Sequence, residues 1–185
     1  MPRPDLLFVR HAPAVDLTRL WGRSEVDATP DPAAVAALRD MLGEVATVVS
    51  SPARRCVQTA RVLFPDIKAA QDDRLWEQDF GRYDGAPLTE LPDLGPLTGD
   101  ALAVHRWEGG ESFTDLCARV APALAPLSAE GPVAVVAHAG TIRAALAAVV
   151  GPGAALAFEV APLSLTRMTA HPGGFAIGCV NARPR

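Results

Sequence analysis

Short apolar segments alternate with segments of helical periodicity along the first 150 residues. Three apolar runs have the length of buried strands: 5–9, 47–49 and 133–136. Apolar residues recur at helical spacing in four segments: 32–42, 52–63, 112–129 and 141–150. This alternation is typical of parallel sheets with helices on both faces, because a parallel crossover usually contains a helix. We therefore expect an α/β fold, a three-layer α/β/α sandwich around a mostly parallel central sheet.

The last third of the chain has a different pattern. Segments 156–160, 163–169 and 175–180 have strand character with no helical segment between them, which favours antiparallel strands toward the C-terminus. Residues 67–70 predict one more short strand. Periodicity fades over residues 82–110, where Gly and Pro are frequent, so we expect a cap-like excursion from a single domain over residues 1–185.

Composition excludes several classes of function. The net charge of −4 gives no electrostatic basis for binding nucleic acid or an anionic membrane. No long uncharged apolar segment and no signal peptide pattern occurs, so a cytoplasmic protein is expected. The only lysine, Lys68, lies in no Gly-rich loop, which argues against a P-loop. Cys56, Cys117 and Cys179 are odd in number and far apart, so free thiols are expected instead of disulfides or a zinc site.

Two of the predicted strands end in histidine. His11 follows the first strand and His138 follows the strand at 133–136. Ligands of parallel sheets bind beyond the carboxyl ends of the strands, so both side chains are expected at one edge. The strand at 47–49 leads to a predicted helix start at Ser51 and Pro52, followed by Arg54 and Arg55. Helix N-termini and guanidinium groups both favour phosphate, so the sequence predicts an anion site there.

These residues lie in motifs that resemble the histidine phosphatase superfamily, which includes phosphoglycerate mutases and small phosphatases. Its Arg-His-Gly motif corresponds to Arg10-His11-Ala12, and its late His-x-Gly motif to His138-Ala139-Gly140. Its longest motif is matched without gaps by Ser50, Ser51, Pro52, Arg55, Gln58, Thr59 and Ala60. Two further motifs are matched by Leu75, Glu77, Gly81 and Gly85 and by Gly109-Gly110-Glu111-Ser112. All of them follow the order of the family.

The resemblance implies a phosphomonoester hydrolase that needs neither metal nor cofactor. His11 would be the nucleophile and would form a phosphohistidine. Arg10, Arg55 and His138 would bind the phosphoryl oxygens. Glu77 would protonate the leaving group and later take a proton from water. In this comparison Arg54 aligns with no motif position and is interpreted as a surface residue.

Some departures from the family pattern bear on the reaction. Ala12 and Ala139 replace common glycines, and Leu17 stands where mutases carry Asn. Mutases bind the carboxylate of phosphoglycerate with basic residues that have no clear match here. Arg106 is the only basic residue between Arg82 and Arg119, which counts against mutase activity. Phosphoglycerate mutase activity is nevertheless retained as an alternative. A non-catalytic phosphate-binding protein is a second one, although such proteins typically lack the nucleophile or the acid.

The substrate is expected to be a small phosphorylated metabolite. Segments around Trp76 and Trp21 look most like those of α-ribazole phosphatases, which suggests a compound similar to α-ribazole 5′-phosphate. Arg23 and Trp107 are predicted to bind it, because guanidinium and indole planes suit stacking on a flat ring. Glu111 is given no catalytic role, and two histidines outside the motifs, His105 and His171, are expected on the surface.

Overall fold

The computed structural model describes residues 5–128 and 132–184. Six strands form one sheet in the order β3-β2-β4-β1-β5-β6. They are β1 Asp5–Arg10, β2 Thr47–Ser50, β3 Ala70–Gln71, β4 Val133–Ala137, β5 Leu165–His171 and β6 Gly174–Ala182. The first four are parallel to one another, whereas β5 pairs with β1, and β6 with β5, as antiparallel additions at one edge. The mostly parallel sheet with late antiparallel strands is therefore confirmed.

Helices cover both faces of this sheet. They are α1 Pro32–Leu42, α2 Arg54–Leu63, α3 Gly99–Val104, α4 Phe113–Leu127, α5 Ala139–Val150 and α6 Pro152–Ala155. Alternate residues of β1 and β4 point into two separate apolar clusters, one containing Leu116 and Ile142 and the other Leu38 and Leu63. Since each cluster packs one helical layer against the sheet, the expected three-layer arrangement is observed.

The register of the central strands places two predicted site residues at one edge. Arg10, the last residue of β1, pairs with Ala137, the last residue of β4, so His11 and His138 follow at the same level. On the other side of β4, Ser50 pairs with Val136, and the chain leaves β2 toward α2 at this level. The three strand ends converge because the strands are parallel and their C-terminal residues are paired in register.

Helix α2 begins later than the sequence indicates. The predicted N-cap was Ser51, but the capping residue is Ala53 and the first helical residue is Arg54. The hydroxyl of Ser51 accepts a hydrogen bond from the amide of Ala53 and lies 2.8 Å from Nε2 of His138. Ser51 therefore has the chemistry of a capping residue but contacts the site histidine as well.

The strand predicted at 156–160 is wrong, because the chain there follows α6 with a turn and an irregular segment. Two of its carbonyl groups bind site arginines instead of a neighbouring strand. The carbonyl of Val160 accepts from Nη1 of Arg10 at 2.6 Å, and that of Phe158 accepts from Nε of Arg143 at 2.8 Å. Apolar content alone could not reveal that these backbone groups serve side chains from elsewhere.

The segment 82–110 is mostly irregular, as expected, but contains the unpredicted helix α3. Gly81, the residue just before this segment, has a φ of 54°, and a Cβ there would collide with the carbonyl oxygen of Glu108. This close approach joins the two ends of the segment and explains why glycine suits the position. Helix α4 follows with the predicted capping box between Ser112 and Asp115. The predicted end of that helix at 129 lies outside the described residues.

Candidate active site

His11 lies at the centre of the strand-end cluster and is nearly buried. Its Nδ1 is 2.6 Å from the carbonyl oxygen of Ala12, and its Nε2 is 3.3 Å from Nε of Arg55. A carbonyl can only accept and a guanidinium can only donate, so the proton sits on Nδ1 and the lone pair on Nε2. This arrangement leaves Nε2 without a proton.

Both site histidines are held neutral. Burial, followed by repulsion from the Arg55 guanidinium, lowers the pKa of His11 to about 3. The same two causes, in the same order, lower the pKa of His138 well below its usual value. The rings meet edge to face with centroids 5.2 Å apart. At neutral pH the lone pair of His11 is therefore available without removal of a proton.

Arg55 is completely buried and uses its whole guanidinium within the site. Nη1 and Nη2 donate to the carbonyls of Ser24 and Gly22 at 2.9 and 2.7 Å. Nη2 also lies 3.1 Å from Nδ1 of His138. Among the residues that the structure describes, no carboxylate forms an ion pair with Arg55. Its buried charge is offset only by dipoles, so the site has a strong electrostatic preference for an anion.

Arg10 adds a second cation beside His11. Its Nη1 binds the Val160 carbonyl, whereas its buried Nε has no partner within the described residues. Burial lowers the pKa of Arg10, and the charge of Glu77 partly opposes this effect. A buried donor without an acceptor is costly and is satisfied when an anion enters. Arg10 and Arg55 thus form one face of an anion site.

Glu77 is buried on the opposite side of the site, next to the N-terminus of α5. One carboxylate oxygen accepts from the amide of Gln78 at 2.9 Å and the other from the amide of Gly140 at 3.2 Å. A Cβ at Gly140 would collide with this carboxylate, which explains the glycine of the His-x-Gly motif. The carboxylate is therefore fixed at the edge of the site where it lines the cavity.

Gln58 and Thr59, two further motif residues, form hydrogen bonds to the loop after β1. The hydroxyl of Thr59 accepts from the amide of Ala12 at 2.9 Å and donates to the carbonyl of Arg55 at 2.7 Å. Gln58 donates to Asp27 at 2.8 Å and accepts from the amide of Ala28 at 2.7 Å. The Gln-Thr pair therefore joins α2 to the loop after β1, a role that motif matching alone did not specify.

Arg119 positions the segment that carries Glu77, and sequence reasoning missed it. It donates to Glu111 and to the carbonyls of Arg74, Trp76 and Glu77 at 2.8–3.0 Å. Burial alone would raise the pKa of Glu111, but the hydrogen bonds from Arg119 and from the Asp79 amide, together with the charges of Arg119 and Arg23, lower it overall. The only indication in the sequence is the spacing of opposite charges around the cap of α4. Glu111 thus has a structural partner, in agreement with the absence of a catalytic assignment.

A cavity of about 420 Å³ opens from His11 toward the surface. Its inner end is lined by Arg10, His11, Glu77, Gly140 and Arg143. Trp107 and His105 also line it, so His105 is not merely a surface residue. Arg55 and His138 do not line the cavity, and Arg55 contacts both His11 and His138.

Arg23, predicted to bind substrate, does not line the cavity. Its guanidinium lies over the ring of Trp76 at 5.7 Å, and its Nη2 is 3.8 Å from Glu111. Arg54 is exposed, with Nη1 3.6 Å from Asp27, in line with its interpretation as a surface residue. The structure therefore separates the two neighbouring arginines at the start of α2.

We next consider metal ligands, cysteines and membrane-spanning helices among the described residues. Within residues 5–128 and 132–184 no group of three or more His, Cys, Asp or Glu side chains has the geometry to hold a metal ion. The three cysteines are free thiols, as expected, and only Cys56 is fully buried. Across the same residues no helix is both long and apolar enough to cross a membrane.

The family model of the histidine phosphatase superfamily (branch 1) matches residues 6–183. The chain belongs to this superfamily. The family and the enzyme class expected from the motifs, a histidine phosphatase, are thereby confirmed.

Several proteins that are similar to this chain are named as phosphatases. A 6-phosphofructo-2-kinase/fructose-2,6-bisphosphatase of Caenorhabditis elegans is 31% identical over 97 residues, which cover 50% of this chain and 21% of that protein. The mycobacterial glucosyl-3-phosphoglycerate phosphatase has a TM-score of 0.84 at 26% identity, over 97% of this chain and 99% of the other. A putative α-ribazole-5′-P phosphatase of Escherichia coli has a TM-score of 0.82 at 21% identity, over 98% and 97%. The chain spans about a fifth of its curated relative and nearly all of each solved structure.

Proposed function

We propose that this chain hydrolyses phosphomonoesters through a phosphohistidine formed on His11. The observation that carries the proposal is the neutral imidazole, whose Nε2 lone pair faces the buried guanidinium of Arg55. A nucleophile next to uncompensated positive charge is what attack on a phosphate dianion requires. The alternative of a non-catalytic binding protein leaves the fixed tautomer of His11 unexplained.

In the first half-reaction, Nε2 of His11 forms a bond to phosphorus while the bond from phosphorus to the ester oxygen breaks. The leaving oxygen takes a proton from Glu77, which acts as the general acid in this step. Nδ1–H keeps its hydrogen bond to the Ala12 carbonyl, which stabilises the positive charge of the phosphorylated ring. In the second half-reaction, water attacks phosphorus, the phosphorus–nitrogen bond breaks and Glu77 accepts the proton.

Arg10, Arg55 and His138 are proposed to bind the equatorial oxygens. Arg55 Nε contacts the same nitrogen that attacks phosphorus, so a phosphoryl group on Nε2 would lie directly against the guanidinium. Arg10 has a free, buried Nε beside it. Together these groups supply the positive charge that other phosphatases take from metal ions.

Metal removal tests the proposal. Hydrolysis of p-nitrophenyl phosphate should proceed without added metal and should change by less than about twofold in excess EDTA, because guanidinium groups stabilise the transition state. The release of p-nitrophenolate is followed after dialysis against EDTA, with a magnesium-dependent phosphatase as a control. Loss of activity that returns with magnesium or zinc would show that the charge is supplied by a cation.

Replacement of Glu77 by Gln should affect substrates according to their leaving groups. An alkyl alkoxide needs a proton, so kcat for an alkyl phosphate should fall by about 10²–10⁴. The p-nitrophenolate group leaves without help, so its kcat should fall far less. Gln78→Glu in the Glu77→Gln background tests whether a carboxyl group one residue away can substitute. Equal losses on both substrates would mean that Glu77 only positions the substrate.

Phosphoglycerate mutase activity is not favoured by the charges around the cavity. A mutase must hold a second anionic group, yet Arg106 is paired with Asp115 at 2.7 Å. Arg19, at the outer end of the cavity, lies 3.3 Å from Asp16. Arg143 lies instead at the inner end, close enough to Arg10 to affect its pKa. Hydrolysis is therefore the better proposal.

The proposed substrate is a small phosphorylated metabolite with a flat ring, similar to α-ribazole 5′-phosphate. Trp107 supports this finer proposal because it lines the cavity and is surrounded edge to face by Phe80, Tyr83 and His105 at 5.5 Å. Arg23 has no contact with the cavity, so a role in binding the ring would require it to leave Trp76 and Glu111.

A further inference from the structure

The outer end of the cavity differs chemically from the inner end. Three leucines line it while remaining strongly exposed to solvent: Leu17 at 65%, Leu88 at 49% and Leu102 at 38%. We refer to these three residues as the leucine rim. Leu20, Trp21, Phe113 and Leu156 continue the apolar surface inward. Exposed leucines that converge on one cavity are unusual on a soluble surface and mark a binding region.

Leu17 and Leu88 of the leucine rim lie in two segments that pair with each other, whereas Leu102 lies in α3. The amide of Leu88 donates to the carbonyl of Thr18 at 2.8 Å, and the amide of Leu20 donates to the carbonyl of Ala86 at 2.9 Å. The amide of Gly85 completes the pairing with a 2.7 Å bond to the carbonyl of Leu20. Since these bonds join Leu17 and Leu88 through adjacent backbone, the apolar wall is already formed before any ligand binds.

Several polar groups near the outer end of the cavity form hydrogen bonds and an ion pair with one another. Asp16 accepts from the amide and hydroxyl of Thr18 at 2.8 and 2.6 Å and pairs with Arg19 at 3.3 Å. The indole N–H of Trp21 donates to the carbonyl of Asp16 at 2.6 Å. A sugar with many hydroxyl groups would find few free partners here, whereas an apolar group would need none.

We propose that the leucine rim binds the leaving group of the substrate, and that this group ends in an apolar chain or ring. The inference rests on the proposed function, because the phosphate must be held at Arg10 and His11 for the rest of the ester to reach the rim. The cavity is continuous between these two ends, and its volume of about 420 Å³ exceeds what a phosphate alone would fill. Leu17, Leu88 and Leu102 are thereby assigned as specificity-determining residues.

A pair of alkyl phosphates tests this assignment. Ethyl and hexyl phosphate have alkoxide leaving groups of similar basicity and differ only in apolar length. Each methylene group that becomes buried should raise kcat/KM by roughly threefold to fourfold. We therefore expect hexyl phosphate to exceed ethyl phosphate by at least about tenfold. Equal kcat/KM values for the two esters would overturn the inference.

Variants of the three rim leucines test whether the preference for hexyl phosphate arises at the rim. Leu17→Ser, Leu88→Ser and Leu102→Ser should each reduce the hexyl-to-ethyl ratio of kcat/KM by about threefold or more. Leu97→Ser is the matched control, because Leu97 is 43% exposed and does not line the cavity. A ratio that falls equally in the control would assign the effect to general surface hydrophobicity and refute a role of the rim.

Binding of non-hydrolysable analogues separates this inference from the proposed function. Calorimetric titration of the wild-type chain with hexylphosphonate and ethylphosphonate requires no turnover. Tighter binding of hexylphosphonate by about tenfold or more, lost in Leu88→Ser, would support the rim even if no ester were hydrolysed. Equal affinities would refute it even if hydrolysis occurred.

Discussion

Replacement of His11 by Ala is expected to reduce phosphatase turnover by at least roughly a thousandfold, because no other group can take over the bond to phosphorus. Its Nε2 carries the lone pair that accepts a hydrogen bond from Nε of Arg55. The rate is measured with p-nitrophenyl phosphate in steady state. In addition, rapid acid-free quenching with a radiolabelled substrate should show a phosphoenzyme in the wild type and none in the variant.

His171→Ala is the matched control for this experiment. His171 lies at the end of β5 and is exposed, with Nδ1 accepting a bond from the amide of Gly173 at 3.1 Å. The control should retain full turnover and the labelled phosphoenzyme. Circular dichroism establishes that both variants are folded. Turnover of the His11 variant above roughly one-twentieth of the wild-type rate, only about 1.8 kcal/mol of barrier, would exclude His11 as the nucleophile.

The core of the site was predictable because it depends on strand ends. Apolar runs gave β1, β2 and β4, and parallel pairing then brought His11 and His138 to one level. No feature of a loop was needed for that conclusion. The motif match selected Arg55, and its position on the first turn of α2 directs it toward the same edge.

The wall of the cavity was less predictable, because it is built from contacts between loops distant in sequence. Arg23 was predicted to bind substrate from its residue type and its place in the loop after His11, but Glu111 and Trp76 hold its side chain away from the cavity. His105 was expected on the surface, yet the packing of Trp107 against it places both on the cavity wall. These side-chain contacts join residues that the tertiary structure brings together, so the local sequence pattern does not predict them.

The segment 156–160 shows a second reason for failure. Its apolar residues suit a strand, but the carbonyls of Phe158 and Val160 are taken by Arg143 and Arg10. An arginine of the site can thus remove a segment from the sheet by supplying its backbone with other partners. The sequence contains both groups, although 150 residues separate Arg10 from Val160.

Arg55→Lys should affect activity and stability together. Arg55 donates to the carbonyls of Gly22 and Ser24 and to both histidines from three nitrogens in one plane. A single ammonium group cannot reach all of these acceptors, so buried carbonyls would lose their partners. We expect kcat/KM to fall by about 10²–10³ and the free energy of unfolding by roughly 2–4 kcal/mol.

Arg54→Lys, one residue earlier, is the matched control because its side chain is exposed and its ion pair with Asp27 is in solvent. Its unfolding free energy should stay within about 0.5 kcal/mol of wild type, and its kcat/KM should not change. Urea unfolding measures stability, and kinetics at low temperature keeps both variants folded during the assay. The two effects of Arg55→Lys have one cause, since the contacts that orient the guanidinium for phosphate also fix the loop that contains Gly22 and Ser24. A variant that lost stability but kept full kcat/KM would therefore show that Arg55 serves the loop alone and that Arg10 is sufficient to bind the phosphoryl group.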